Sequence, residues 1–438
     1  MSATPRRTPP KTPRPDRAPL AASAEIRRWE EDLRRTRAER RRARAQDFWS
    51  EFRDAPIIER SDRSDERIVT FLWQDAAAAE VLLFANKLTD ERDIASSLMR
   101  RLRGTDIWHL SYRMRADWRA SYGFLTRDRG DAWPWGDGDH ASIRRALDHS
   151  RADPRNPRSI PNRPGTPLSL VELPDAPRQP WAEHRPDLGS RGALDERRGP
   201  DGRPVWVYVP APSAVAAASP GAVSAALPVV VILDGDAWVR HHRISATLDN
   251  LIADGQIRPC LVLLPDSGGS ERRWEELDAR GDGARWIVER LLPWARGRFP
   301  VSADPAETIV AGQSLGGYTA LRAAFEYPSV VGGVISQSAS LWQQGLADPA
   351  SIPGTVRGLR MYLEVGAHEW VLREPNRRLA DAVAAAGGDI RYTEYNGGHD
   401  YACWRGGLAD GLRVLLGPAA PPRRLDTRLE TNRGGQRV

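Results

Sequence analysis

The chain has 438 residues, 40% of them hydrophobic, and no apolar run approaches the ~18 residues of a spanning helix, which excludes an integral helical membrane protein and leaves a soluble, globular one. Its formal net charge of +6 is a local property: residues 1–45 hold 14 Lys/Arg against 6 Asp/Glu, so the rest of the chain is close to neutral and offers no broad basic face to nucleic acid. Two cysteines, Cys260 and Cys403, exclude a disulfide framework and fit a reducing compartment.

Residues 1–20 are rich in Pro and Arg and are expected to be disordered. Residues 24–45 contribute few apolar positions beyond Ile26, Trp29 and Leu33, so 1–45 reads as a solvated arm with a helical end. An ordered domain is expected over 46–160, opening at Phe48-Trp49. Within it the short runs Arg67–Trp73, Glu80–Asn86, Ile107–Met114 and Trp118–Phe124 imply a small β-sandwich. Pro and Gly punctuate 127–204, and 161–204 reads as a linker.

From Pro204 the pattern changes. Val205–Val209, Pro228–Leu233, Cys260–Leu264, Thr308–Ala311, Gly333–Ser336, Arg360–Val365 and Ile390–Tyr395 are strand candidates, separated by helical stretches near 241–254, 283–296, 316–326 and 376–386. Alternating strands and helices predict a mostly parallel sheet covered on both faces over 205–417. Residues 418–438 are again rich in Pro and Arg and are expected to be disordered. The N-terminus carries no apolar core before a small-residue cleavage site, so no secretory signal and a cytoplasmic location are expected.

Gly312-Gln313-Ser314-Leu315-Gly316-Gly317 lies between a β-prone run and the alanine-rich Tyr318–Phe325. A strand, a glycine-flanked serine and a helix form the context of a nucleophile elbow. A serine needs a base, usually steered by a carboxylate. His399, in the loop Asn396-Gly397-Gly398-His399-Asp400 after the last strand, is the candidate base. Glu369, in the turn after Met361–Val365, is the candidate acid. Asp400 competes with it, although adjacency to His399 makes the geometry awkward. Oxyanion donors are expected from the N–H of Leu315 and from the loop Asp234-Gly235-Asp236, with Asp236 the preferred residue. These readings define a serine esterase on an α/β-hydrolase fold.

Several motifs together resemble the enterochelin (enterobactin) esterases over roughly residues 47–415. They are Phe48-Trp49, Asp153-Pro154-Arg155-Asn156-Pro157, Val171–Pro177, Leu233-Asp234-Gly235, Leu291-Leu292-Pro293-Trp294, Gly312–Gly317, Ser336-Gln337-Ser338 and Gly397-Gly398-His399-Asp400 running into Trp404-Arg405. The resemblance implies an immunoglobulin-like domain before the α/β-hydrolase domain, with Ser314, Glu369 and His399 on the catalytic positions. It also implies hydrolysis of a ferric catecholate siderophore such as enterobactin inside the cell. No metal or organic cofactor is then required, because iron enters with the substrate. A tris-catecholate carrying about −3 charge would call for guanidinium groups and aromatic faces, for which Arg272, Arg273, Arg405, Trp238 and Trp404 are the candidates. The alternative on the same scaffold is a carbohydrate acetyl or feruloyl esterase.

Overall fold

The computed structural model describes residues 9–418 except 11, 13, 17–18, 91, 134–139, 219–225, 344–345 and 347–353, so the expected tail over 418–438 lies almost wholly outside it. Ile26, Trp29 and Leu33 fall three and four residues apart, one stripe of a helix. Ala24–Arg35 is helical, capped by Ser23, whose Oγ accepts the Ile26 N–H at 3.0 Å. The stripe is buried against Phe48 and Trp49 of a second helix, Arg41–Glu51, and against Leu72, Leu102 and Ile107 of the sandwich. Burial of such side chains contributes roughly 1.5–3 kcal/mol each, enough to hold helices that would be marginal alone. Much of the Arg-rich segment is thus docked, its charges on the outer face and three apolar residues inward.

Eight strands build the sandwich: β1 (Ile57–Arg60), β2 (Glu66–Gln74), β3 (Glu80–Ala85), β4 (Arg100–Arg101), β5 (Ile107–Arg115), β6 (Arg119–Arg127), β7 (Ser159–Pro161) and β8 (Pro167–Glu172). They form two four-stranded antiparallel sheets, β1-β2-β5-β4 and β3-β6-β8-β7. Alternate residues point into one core: Val69, Phe71 and Trp73 from β2, Val81, Leu83 and Ala85 from β3, and Ala120, Tyr122 and Phe124 from β6. The hairpin β7–β8 takes part of the segment expected as a linker into the sandwich: Val171 joins its core, while Leu168 and Leu170 are buried in other apolar clusters.

The second sheet has eight strands: β9 (Ala193–Arg198), β10 (Pro204–Val209), β11 (Val229–Ile232), β12 (Leu261–Pro265), β13 (Thr308–Gln313), β14 (Gly333–Gln337), β15 (Arg360–Gly366) and β16 (Asp389–Tyr395). Their order is β16-β15-β14-β13-β11-β12-β10-β9. Strands β11 to β16 run parallel, while β10 pairs antiparallel with both β12 and β9. Every residue of β11 and β13 is buried, as two-sided cover requires. Val229 and Val231 face a layer holding Leu321, Ala324, Leu379 and Val383, whereas Val230 and Ile232 face Leu248, Leu251, Leu408 and Leu412. The parallel run puts the carboxyl ends of β11, β13, β14, β15 and β16 on one edge, where open α/β sheets place their ligands. Among the described residues no helix is long and apolar enough to cross a membrane, and no cluster of three His, Cys, Asp or Glu could hold a metal ion.

Candidate active site

Ser314 stands between β13 and the helix Leu315–Glu326 with φ +59° and ψ −118°. That backbone is costly for a residue with a Cβ, and such strain survives only where the surroundings fix it. Here Ser314 N–H donates to the Gln337 carbonyl at 2.9 Å, and Ser314 O accepts the N–H groups of Tyr318 at 3.0 Å and Ser340 at 3.1 Å. A Cβ on Gly312 would lie 2.4 Å from the Gly316 carbonyl carbon, so the turn closes only with glycine there. The half-buried Ser314 Oγ is 3.3 Å from Ser340 Oγ.

Glu369 sits in the tight turn after β15, buried at 1% exposure. Its Oε2 lies 2.5 Å from His399 Nδ1, and its Oε1 accepts Ser338 Oγ at 2.6 Å, Gly366 N–H at 2.8 Å and Tyr395 Oη at 3.2 Å. Burial alone would raise this carboxyl. The charge of His399, hydrogen bonds from His399 and Ser338, and the charge of Lys87 outweigh it and hold the group below the usual glutamate range. Between the two candidate acids, the imidazole therefore meets Glu369. Asp400 is turned away: Oδ1 caps the helix Tyr401–Leu416 through Ala402 N–H at 2.9 Å, and Oδ2 accepts Ser121 N–H of β6 at 2.5 Å. The edge of the His399 ring meets Trp404 at 4.6 Å, and Trp404 Nε1 donates to Ser338 Oγ at 3.0 Å.

Two helix starts converge beside Ser314. Leu315 opens one helix, and Gly235 and Asp236 open the helix Gly235–Arg240 that follows β11. First-turn N–H groups have no partner inside their own helix and carry the positive end of its dipole. A negative charge on Asp236 would oppose an oxyanion, but its carboxylate is directed at Ser267, accepting both the N–H and the Oγ at 3.0 Å. Asp234 holds the loop from beneath with φ +57°. Its side chain is fully buried and receives Arg273 Nε at 2.5 Å, Arg273 Nη2 at 2.7 Å and Gln313 Nε2 at 3.1 Å.

This arrangement alters the expected substrate contacts. Arg273 is 8% exposed and engaged with Asp234, so its charge supports the loop Asp234-Gly235-Asp236 instead of facing a ligand. Trp238 is 1% exposed, its Nε1 directed to Gln313 Oε1 at 3.3 Å, and Trp404 backs the histidine; neither offers an open ring face. Arg405 is half-buried with Nε on Gln179 Oε1 at 2.6 Å, and the exposed Arg272 pairs with Glu276 at 2.5 Å. Arg273 misled because an arginine in the helix after the next strand, β12, reads the same whether it turns in or out.

Sequence reasoning passed over the residues that grip the histidine loop from the other domain. Asn86 Nδ2 donates to the His399 carbonyl at 3.0 Å, Arg119 N–H to the Asn396 carbonyl at 3.1 Å, and Asn396 Nδ2 to Asp117 Oδ1 at 2.6 Å. Nothing local in the sequence marks contacts made across such separations. Asn86→Ala is expected to lower kcat about tenfold, the equivalent of one lost hydrogen bond on the base's loop, with KM little changed. Steady-state kinetics on a soluble ester check it.

Glu364 of β15 lies below the pair, 3% exposed, receiving Gln337 Nε2 at 2.6 Å and Tyr362 Oη at 3.0 Å. Burial pushes its carboxyl up to about 8, which the hydrogen bonds from Gln337 and Tyr362 only partly offset. A proton held more tightly in the folded state gives stability that is complete below the unfolded value and is lost as pH rises towards about 8. The melting midpoint should therefore fall across that range, and Glu364→Gln should flatten the fall. Thermal scans of both proteins from about pH 5 to about pH 8 would refute this if the two profiles ran parallel.

Residues 68–182 match the family described as "Enterochelin esterase, N-terminal", and residues 202–415 the family described as "Putative esterase". The iron(III) enterobactin esterase of Escherichia coli K12 is 30% identical over 374 residues, spanning 80% of this chain and 91% of that protein. The iron(III) salmochelin esterase of Escherichia coli O6:H1 is 31% identical over 398 residues, spanning 85% and 93%. In three dimensions, the ferric enterobactin esterase of Salmonella typhimurium superposes with a TM-score of 0.70 at 29% identity, covering 84% of this chain and 98% of its own. The enterobactin esterase of Shigella flexneri, crystallised in the presence of enterobactin, gives 0.67 at 28% identity over 84% and 97%. With both halves matched by their families and relatives 30% identical over 80% of its length, the chain belongs to the enterochelin esterase family and is an esterase.

Proposed function

We propose that the protein is a serine esterase that hydrolyses the ester bonds of a ferric catecholate siderophore of the enterobactin type, releasing the iron. The observation that carries the catalytic part is Glu369 seated on His399 Nδ1 at the sheet edge that also presents the strained Ser314. The substrate class rests on relatives named for enterobactin and salmochelin, and on the Shigella flexneri enzyme crystallised with enterobactin.

In this mechanism His399 Nε2 takes the Ser314 proton as Oγ attacks the ester carbonyl. Glu369 fixes the tautomer through Nδ1 and stabilises the imidazolium. The N–H groups of Leu315 and Asp236 receive the oxyanion. His399 then protonates the departing serine hydroxyl of the siderophore, and a water deprotonated by His399 releases the acyl group. Iron takes part only as a component of the substrate.

Purified protein incubated with ferric enterobactin, followed by chromatography for dihydroxybenzoyl-serine, tests the reading beside a Ser314→Ala control. Product from the native protein alone supports it. Hydrolysis of p-nitrophenyl butyrate without any siderophore product would keep the site and reject the substrate class.

A further inference from the structure

Lys87 follows β3 in a turn at φ +59°, a left-handed backbone in which glycine or asparagine sits with less strain. Its stem lies against Gly398, where an added Cβ would fall 2.8 Å from Lys87 Cβ, and its ammonium lies 5.3 Å from the centre of the Trp370 ring. Trp370 follows Glu369, and Gly398 precedes His399, so Lys87 touches the sequence neighbour of each member of the Glu369–His399 pair. A second cation reaches the same ring from the segment before the first helix. Arg14 has its guanidinium carbon 5.6 Å from the Trp370 ring centre, and its Nη1 donates to the Leu88 carbonyl at 2.8 Å. The segment is tied at both ends: Trp370 Nε1 donates to the Thr12 carbonyl at 3.0 Å, while Ala21 N–H donates to the Ser111 carbonyl at 3.0 Å and Arg113 N–H to the Pro19 carbonyl at 2.8 Å.

We propose that Lys87, Arg14 and Trp370 form a cationic aromatic shelf beside the histidine–glutamate pair that receives an anionic ring of the substrate, so that the N-terminal arm is part of the specificity site. The proposal rests on the functional reading above and extends it. Two cations gathered around one indole ring attract an anion that also carries a π-face, and a neutral ester gains little from them. Lys87 is the telling residue, because a side chain kept at a strained φ marks a position where strain is retained for use.

The test is competitive inhibition of p-nitrophenyl butyrate hydrolysis by 2,3-dihydroxybenzoate, with uncharged catechol as the reference. For Lys87→Gly we expect the inhibition constant of dihydroxybenzoate to rise about tenfold and that of catechol to stay within about twofold. The melting midpoint should rise, since glycine relieves the turn; a purely structural lysine would not show that opposition. Arg14→Gln, on the full-length chain, should raise the same inhibition constant without the gain in melting midpoint. Inhibition constants unchanged in both variants, raised equally for catechol, or absent already in the native protein would overturn the shelf. Because the assay uses a synthetic ester, its outcome is separate from whether ferric enterobactin is hydrolysed.

Discussion

Replacing Ser314 with alanine is expected to lower ester turnover by about 10⁴-fold while leaving the protein folded. Alanine has the same backbone preferences as serine at φ +59°, so the strain at the elbow is unchanged, and the Ser314 hydrogen bonds that fix the turn are backbone bonds to Gln337, Tyr318 and Ser340. His399→Ala should fall to a similar level. The double variant should be no worse than either single one if, as proposed, the two act as a unit of nucleophile and base. Glu369→Gln should cost at least about 10²-fold, since the amide presents the wrong partner to Nδ1. Initial rates on p-nitrophenyl butyrate, with circular dichroism as a folding control, decide the matter. A Ser314→Ala protein that retained even a tenth of native turnover would refute the assignment of the nucleophile.

The largest loss of stability should come from separating Asp234 from Arg273. The two side chains are 0% and 9% exposed, and Arg163 reaches Asp234 only at 3.8 Å, so either member of the pair left alone is a poorly compensated charge in a dry interior. Asp234→Ala or Arg273→Ala is expected to cost about 3–5 kcal/mol, or roughly 10 °C in melting midpoint. Burial alone would raise the Asp234 carboxyl, but the Arg273 charge and hydrogen bonds overcome it and depress it. A depressed acid gives stability that is complete above the unfolded carboxylate value and is lost as pH falls through the folded one. Native protein should therefore lose this contribution in acid below about pH 4, and the Asp234→Ala protein should lack that part of the acid transition. The double change Asp234→Asn with Arg273→Met should recover much of the deficit, because both deeply buried charges are gone and the Arg163 left behind is 26% exposed to solvent. Single variants as stable as the native protein would show that the pair holds nothing together. Activity should fall with stability in the single variants, since Asp234 shapes the loop that presents Asp236.

The parts of this fold legible in the sequence are those written in periodicity and short motifs. The β-branched runs at Val229–Ile232 and Thr308–Ala311 announce central parallel strands, and Gly312-Gln313-Ser314 announces a sharp turn into a helix. The distinction between Glu369 and Asp400 is less legible, because both stand near His399 and only the three-dimensional path of each carboxylate separates cap from partner. Least legible is burial. Arg273 and Trp238 carry the chemistry of a ligand site, yet the structure turns them inward, where they complete a network with Asp234 and Gln313. Trp29 stands in a run of charges but lies at 2% exposure, because a single apolar stripe is enough to dock a helix. Composition reports what a segment contains and says nothing of which face turns inward.

The hydrogen bonds from Asn86 to the His399 carbonyl and from Ser121 to Asp400 join residues 313 and 279 positions apart. A growing chain emerges from its N-terminus, so the sandwich is complete before the histidine loop has been synthesised. The loop then settles against a surface that is already waiting, and the closing helix Tyr401–Leu416 is capped by Asp400, the residue which makes that contact. Under the proposed mechanism, a nascent chain holding the elbow serine but not yet these final residues has a nucleophile without a base. On that mechanism catalysis would begin only when the last segment docks on the first, and the chain would not act on esters while it is still being made.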